Sequence, residues 1–252
     1  APGPRPIVIF SHGLGGNRDA AVFLMRHLAS WGYVAVNLQH PGSDESIWRG
    51  KDDPVGAIRE WFKDRRNLAE TTQARFGDLS CAIDELARMA ASDPTFKGRL
   101  NLDRIGMSGH SFGAISTLAA AGQMMGPKAF ERSFAEPRIR AGIAYSPSPP
   151  MRREDFAHVY GAIRIPLFHM TGTEDGDPVG DRFPAEGRQT PFREISGPEQ
   201  FLLVLAGGDH MVFNGRRWRG QTEKSSDARH QALIKLGTLA FWDAYLMDNA
   251  EA

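Results

Sequence analysis

The segment Asn101-Leu102-Asp103-Arg104-Ile105-Gly106-Met107-Ser108-Gly109-His110-Ser111-Phe112-Gly113-Ala114-Ile115-Ser116-Thr117-Leu118 changes character at its centre. Its first half reads as a turn feeding a buried strand. Its second half, continuing through Ala119, Ala120 and Ala121, reads as a helix. Gly109-His110-Ser111-Phe112-Gly113 at the junction is a G-x-S-x-G motif. Five residues match by chance easily, but a match between strand and helix has the setting of a nucleophile elbow. There a sharp turn strains the serine backbone. Side chains two residues either way would strike neighbouring backbone, so both positions are glycine. The Ser111 hydroxyl is expected at the carboxyl edge of a sheet, with a helix N-terminus behind it that favours developing negative charge. The alternative is a glycine-rich turn carrying a solvent serine.

Working outward, short apolar runs alternate with longer amphipathic stretches. The runs are Pro6–Phe10, Tyr33–Leu38, Arg104–Met107, Ala141–Tyr145, Ile165–Thr171 and Phe201–Ala206. They lack polar alternation, as strands buried on both faces do. Helices are expected near 18–31, 58–91 with a possible break, 112–124 and 227–247. The last is capped by Ser225-Ser226 and turns Leu233, Leu236, Leu239, Ala240 and Trp242 inward. This alternation predicts an α/β fold, a mostly parallel sheet with helices on both faces. Neither a repeat nor a low-complexity linker interrupts it, so residues 1–252 read as one domain. The polar segment 41–80 reads as a surface loop plus an amphipathic helix, or, over 41–50, as a wall of a substrate site.

Three further segments end strands with chemically useful residues. Ile7-Val8-Ile9-Phe10-Ser11-His12-Gly13-Leu14-Gly15-Gly16 runs a strand into a glycine-rich loop. Its Leu14 amide, with that of Phe112, is the expected oxyanion hole, and His12 is expected to brace the loop. Such a loop could cradle a phosphate instead, but neither dinucleotide nor P-loop spacing is present. Leu203-Val204-Leu205-Ala206-Gly207-Gly208-Asp209-His210 ends in the expected general base, His210. Asp209 is read as a loop-bonding residue and His169 as a core histidine. Pro166-Leu167-Phe168-His169-Met170-Thr171-Gly172-Thr173-Glu174-Asp175 offers Asp175 as the acid orienting His210, with Asp177 and Glu174 as competitors. The order Ser, Asp, His fits the elbow architecture.

The bulk properties remove several classes. The 30 basic and 30 acidic residues balance, so net charge favours neither a nucleic-acid nor a membrane-surface binder. Without an apolar run of about 18 residues, no transmembrane segment is expected. The one cysteine, Cys81, excludes an intrachain disulfide and reads as a buried structural thiol. Neither H-E-x-x-H nor C-x-x-C occurs, so no metal is expected. The opening Ala1-Pro2-Gly3-Pro4 lacks an initiator methionine. It reads as trimmed after export, which would favour a secreted or periplasmic protein, or trimmed otherwise.

Phe10-Ser11-His12-Gly13-Leu14-Gly15-Gly16, Gly109-His110-Ser111-Phe112-Gly113 and Gly207-Gly208-Asp209-His210 together resemble an α/β-hydrolase. Within that superfamily they are similar to the platelet-activating-factor acetylhydrolases and to bacterial proteins described as predicted dienelactone hydrolases. The resemblance implies a serine esterase working through an acyl-enzyme on a small-molecule ester, without a cofactor. In the acetylhydrolases the acid follows the sixth strand of the full fold. Here that place reads Ala144-Tyr145-Ser146-Pro147-Ser148, without a carboxylate, which favours Asp175. True dienelactone hydrolases use cysteine where this elbow has Ser111. Two strands that usually precede Pro6–Phe10 are missing, leaving a strand edge that could favour association. The 18 or so residues between Ser146 and Ile165 leave no room for a large cap domain. The pocket is therefore expected to be open, walled by 41–50, 146–153, 176–196 and 211–226, with Trp48, Met211 and Phe213 as substrate contacts. The leading expectation is hydrolysis of small to medium carboxylic esters. A phospholipid acetylhydrolase, a lipase, a polyester or amide hydrolase, and a non-catalytic binding module on the same fold are the alternatives.

Overall fold

Six strands form one all-parallel sheet: β1 (Arg5–Ser11), β2 (Val34–Asn37), β3 (Leu100–His110), β4 (Ile139–Tyr145), β5 (Leu167–Glu174) and β6 (Gln200–Asp209), in the order β2-β1-β3-β4-β5-β6. The computed structural model describes residues 3–150, 155–179, 182–217, 222–249 and 251–252. Residues 151–153, 180–181 and 218–221 of the expected pocket walls lie outside the described residues. Among those described, no helix is long and apolar enough to cross a membrane.

The apolar runs are unbroken because both faces of the sheet are covered. Successive residues of β1 go to opposite sides. Val8 and Phe10 join Ile143, Tyr145 and the helices α1 (Val22–Ser30) and α7 (Asp227–Leu246). Ile7 and Ile9 join Ile105, Met107 and Leu79, Ile83 and Leu86 of α3 (Arg65–Ser92). On that second side α4 (Phe112–Ala121) packs against β3 and β4. Almost every residue of α4 is buried, so it is apolar all round rather than striped. Gly106 lets α7 approach β3, because a Cβ there would lie 2.6 Å from the Trp242 ring.

Several local expectations need correction. The possible break in the 58–91 stretch is present, and its start moves: α2 (Pro54–Lys63) and α3 are separated at Asp64, whose side chain accepts from the amides of Arg66 and Asn67. Helix α7 buries Ile234, Thr238, Phe241, Trp242 and Leu246, while Leu233 and Leu236 face outward. The apolar content of α7 exceeds one face, so composition alone misassigned the inward side. Ser226 makes no capping bond through its side chain. Asp227 instead accepts from the Lys224 amide and pairs with Arg217. Cys81 is exposed, since Leu79, Ile83 and Leu86 form the buried stripe of α3. Between β4 and β5 the one described helix is the five-residue α5 (Phe156–Tyr160). A further short helix, α6 (Thr190–Glu194), precedes β6.

Candidate active site

Parallel strands end on one side, so the loops after β1, β3, β5 and β6 meet. Ser111 follows β3 directly, with φ 58° and ψ −112°, a left-handed φ that costs a non-glycine residue of order 1–3 kcal/mol. Neighbouring backbone enforces it. The Ser111 amide donates to the Tyr145 carbonyl at 2.9 Å. A Cβ on Gly109 would lie 2.3 Å from the Gly113 carbonyl oxygen, and one on Gly113 would lie 1.9 Å from that of Ser11. Both motif glycines are thus sterically required. Gly13 packs on Ser111 itself, its would-be Cβ 3.3 Å from the serine Cβ.

Ser111 and His210 line the same cavity, of about 1270 Å³. His210 is buried, and its Nδ1 lies 2.8 Å from Oδ1 of fully buried Asp175. Arg188 Nη2 is also 3.1 Å from Nδ1. A guanidinium only donates, so that contact would need a bare Nδ1; the shorter contact to a buried carboxylate puts the proton on Nδ1. Nε2 is then the basic nitrogen. Burial and the Arg188 charge hold His210 below its usual range, against the pull of Asp175. Asp175 loses hydration on burial, yet His210, Arg188 and Ser146 together hold its carboxyl below the ordinary value. Asp177 lies in the same loop but is bound to Arg182 and the Val179 amide, with no hydrogen bond to His210 among the described residues. Glu174 pairs with Lys224. Asp209 caps the turn at Met211 and pairs with Arg217 and Lys224, a loop-bonding role.

Several residues that hold this arrangement escaped sequence reasoning. Ser146, at φ 55°, occupies the carboxylate-free position after β4, and its hydroxyl donates to Asp175. Thr171 donates to the same carboxylate at 2.8 Å. Arg188 is buried and clamps the Asp175, Gly176 and Ser146 carbonyls at 3.0–3.1 Å while lying 3.2 Å from Asp175 Oδ1. His110 Nε2 donates to the His210 carbonyl at 2.8 Å. Arg188 stands in a short 3-10 helix (Ala185–Gln189) within a polar stretch that has no local pattern, so nothing in the sequence marked it.

The loop after β1 is equally constrained. His12 Nδ1 donates to the Gly13 carbonyl at 2.7 Å, while Nε2 accepts the His40 amide at 3.2 Å, so His12 braces the loop as a neutral ring. Burial and Arg75 lower it to about 3. Trp48 lines the cavity and donates to the Gly15 carbonyl at 2.6 Å. The Gly15 and Gly16 amides are taken by the Ser43 and Gly13 carbonyls. Leu14, Phe112 and Met211 also line the cavity. Phe213 does not: it is 1% exposed and packs with Tyr145 and His110 in the core beneath it. The turn that presents His210 rotates Phe213 away from solvent. His169 is buried with Nε2 3.0 Å from Gln200, but its Nδ1 has no partner among the described residues.

Beyond the expected loops, the cavity is walled by α2 and the start of α3, through Ile58, Phe62, Leu68 and Phe76, and by Met124, Met125 and Phe134. Segment 41–50 contributes Glu45 and Trp48.

The six-stranded parallel sheet with helices on both faces has a structural counterpart. A ferulic acid esterase from Streptomyces cinnamoneus superposes with a TM-score of 0.66 over 99% of this chain and 69% of its own, at 22% identity. The chain has the α/β-hydrolase fold. In sequence, this α/β-hydrolase chain resembles the platelet-activating factor acetylhydrolases. The model of the family "Platelet-activating factor acetylhydrolase, isoform II" matches residues 1–73, which hold the loop after β1 but not the elbow. The guinea pig (Cavia porcellus) platelet-activating factor acetylhydrolase is 26% identical over 66% of this chain and 39% of its own length. The dog (Canis lupus familiaris) protein is 24% identical over 82% of this chain and 48% of its own. The chain therefore spans less than half the length of these curated relatives.

Proposed function

We propose that this chain hydrolyses carboxylic esters by a Ser111–His210–Asp175 mechanism. The observation that carries the reading is the strained Ser111 opening onto the same cavity as a buried His210 whose Nδ1 is held by Asp175. Ser111 attacks the ester carbonyl, and His210 Nε2 takes its proton and returns it to the leaving alcohol. Asp175 keeps the proton on Nδ1 and stabilises the imidazolium. The amides of Leu14 and Phe112 receive the oxyanion, those of Gly15 and Gly16 being committed elsewhere. Water then releases the acyl group by the same steps in reverse. The similarity to acetylhydrolases, together with an esterase of the same fold, supports this chemistry.

The substrate is a small-molecule ester. The size and apolar walls of the cavity favour esters with a bulky apolar part, so a phospholipid acetylhydrolase, lipase or polyester hydrolase is the second reading. A panel of p-nitrophenyl esters of rising acyl length, run with wild type and Ser111→Ala, tests both. Turnover is expected to vanish in the variant. Wild-type turnover in Ser111→Ala would sink the mechanism, and a sharp loss beyond acetate would restrict it to acetyl groups.

A further inference from the structure

Ser11, His40 and Asp78 form a second serine–histidine–aspartate chain. His40 Nε2 lies 2.9 Å from Ser11 Oγ, and Nδ1 lies 2.7 Å from Asp78 Oδ2. It is no second active site, because Ser11 and His40 are sealed from solvent at 0% and 1% exposure. What terminates it is a buried cation. Arg75, 1% exposed, donates through Nη2 to Ser11 Oγ at 2.9 Å and to the His12 carbonyl, and through Nη1 to Ser43 Oγ at 2.8 Å. Its guanidinium carbon stands 4.4 Å from the centre of the Phe112 ring.

Hydrogen-bond bookkeeping gives the chain a direction. Arg75 only donates, so Ser11 Oγ accepts from it and spends its own proton on His40 Nε2, whose Nδ1–H then donates to Asp78. His40 is neutral in this arrangement, in keeping with burial lowering its affinity for a proton. Every direct partner of Arg75 is thus a neutral oxygen or a ring, and its Nε has no partner among the described residues. A cation buried this way is expensive and poorly justified by stability alone. Its contacts explain its place better. Ser43 accepts the Gly15 amide through its carbonyl, His12 leads into Leu14, and Phe112 carries the other proposed donor.

We propose that Arg75 is a positioning residue for the oxyanion hole. It ties the loop after β1 to the first residue of α4 and supplies a fixed positive charge behind both amides, with Ser11, His40 and Asp78 linking that charge to a carboxylate. The inference rests on the esterase reading above. It extends that reading to residues 29 to 64 positions apart that share no motif.

Arg75→Met, Arg75→Lys and Arg66→Met, the last on the exposed face of the same helix, test it with p-nitrophenyl butyrate and with butaneboronic acid as a tetrahedral-adduct probe. Arg75→Met is expected to lower kcat about 100-fold with KM within about threefold, the scale of losing one oxyanion donor. The boronate should bind weaker by about the factor lost in kcat/KM. Arg75→Lys keeps the charge without the fork and should lose about tenfold, while Arg66→Met should match wild type. A folded Arg75→Met with kcat within threefold of wild type, or with its whole loss in KM, overturns the proposal. If Arg75→Met does not fold, Arg75→Lys decides by the same criteria. A wild-type chain inactive on every ester overturns the esterase reading and this proposal with it. Activity abolished by Ser111→Ala but kept by both Arg75 variants overturns this proposal alone.

Discussion

Replacing Asp175 with asparagine changes one atom and should remove nearly all turnover. The side chain is fully buried and receives Ser146, Thr171 at 2.8 Å and His210 Nδ1 at 2.8 Å, with Arg188 Nε 3.2 Å away. Ser146 and Thr171 both donate to Oδ2, so an amide oxygen is retained there and the NH2 group is turned toward His210. That group can only donate, so Nδ1 must become the acceptor and the proton moves to Nε2. Ser111 then faces a nitrogen that is unable to take its proton. A tautomer error of this kind costs about 10⁴-fold in kcat, or about 5.4 kcal/mol of barrier. Arg188 also loses a buried counter-charge, so the variant should be less stable by about 3 kcal/mol. Steady-state hydrolysis of p-nitrophenyl butyrate, measured well below the melting temperature of each protein, gives the ratio. Asp177→Asn is the control, since that carboxylate is bound to Arg182. The reasoning fails if Asp175→Asn keeps more than a tenth of wild-type kcat, or if Asp177→Asn loses more.

Two glycines should respond oppositely to alanine. Gly113→Ala forces a Cβ to 1.9 Å from the Ser11 carbonyl and should cost about 3 kcal/mol or more in urea unfolding, whereas Gly77→Ala, mid-helix with nothing within 4 Å, should gain about 0.5–1 kcal/mol. Because protonated His210 is no base, kcat/KM should fall as pH drops, with a midpoint below the usual 6.5 set by burial and Arg188. Arg188→Met removes the cation that opposes protonation, so it should move that midpoint upward; an unmoved or lowered midpoint contradicts the assignment. Met211 and Phe213 should separate in kinetics and stability. Met211→Ala should raise KM for long-chain esters, while Phe213→Leu should leave KM alone and cost about 1 kcal/mol of stability.

Much of the frame was legible because the inner strands β1, β3, β4 and β5 are largely buried on both faces and so read as unbroken apolar runs, while the edge strands β2 and β6 stay apolar although only half-buried. The structure lengthens β3 to Leu100–His110 and β6 to Gln200–Asp209, where polar residues continue the ladder. Helix faces were less legible: α7 has apolar residues around its circumference, and only its neighbours decide that Trp242 goes in and Leu236 goes out. In the site, Ser111, Gly109 and Gly113 were readable because the elbow is a local device. Arg75 left a fainter trace, a cation in the stripe that continues through Leu79, Ile83 and Leu86. Its partners Ser11, His12 and Ser43 are 32 to 64 residues distant. Phe213 was misread as a substrate contact because its proximity to His210 in sequence does not say which way a short turn points it.

The sequence by itself determined the alternation of buried strands and helices, the strained turn at Ser111 and the loops carrying Leu14, Asp175 and His210. Each is specified within about ten residues by steric demands on glycine, by apolar runs and by strand ends. Only the tertiary structure decided that Asp175 rather than Asp177 meets His210, that Ser146 and Arg188 hold that carboxylate, and that α2 and α3 wall the cavity. Those choices depend on which strand ends a parallel sheet places side by side. They also depend on which buried polar groups find partners once water is excluded, and neither condition is written in any short stretch of chain.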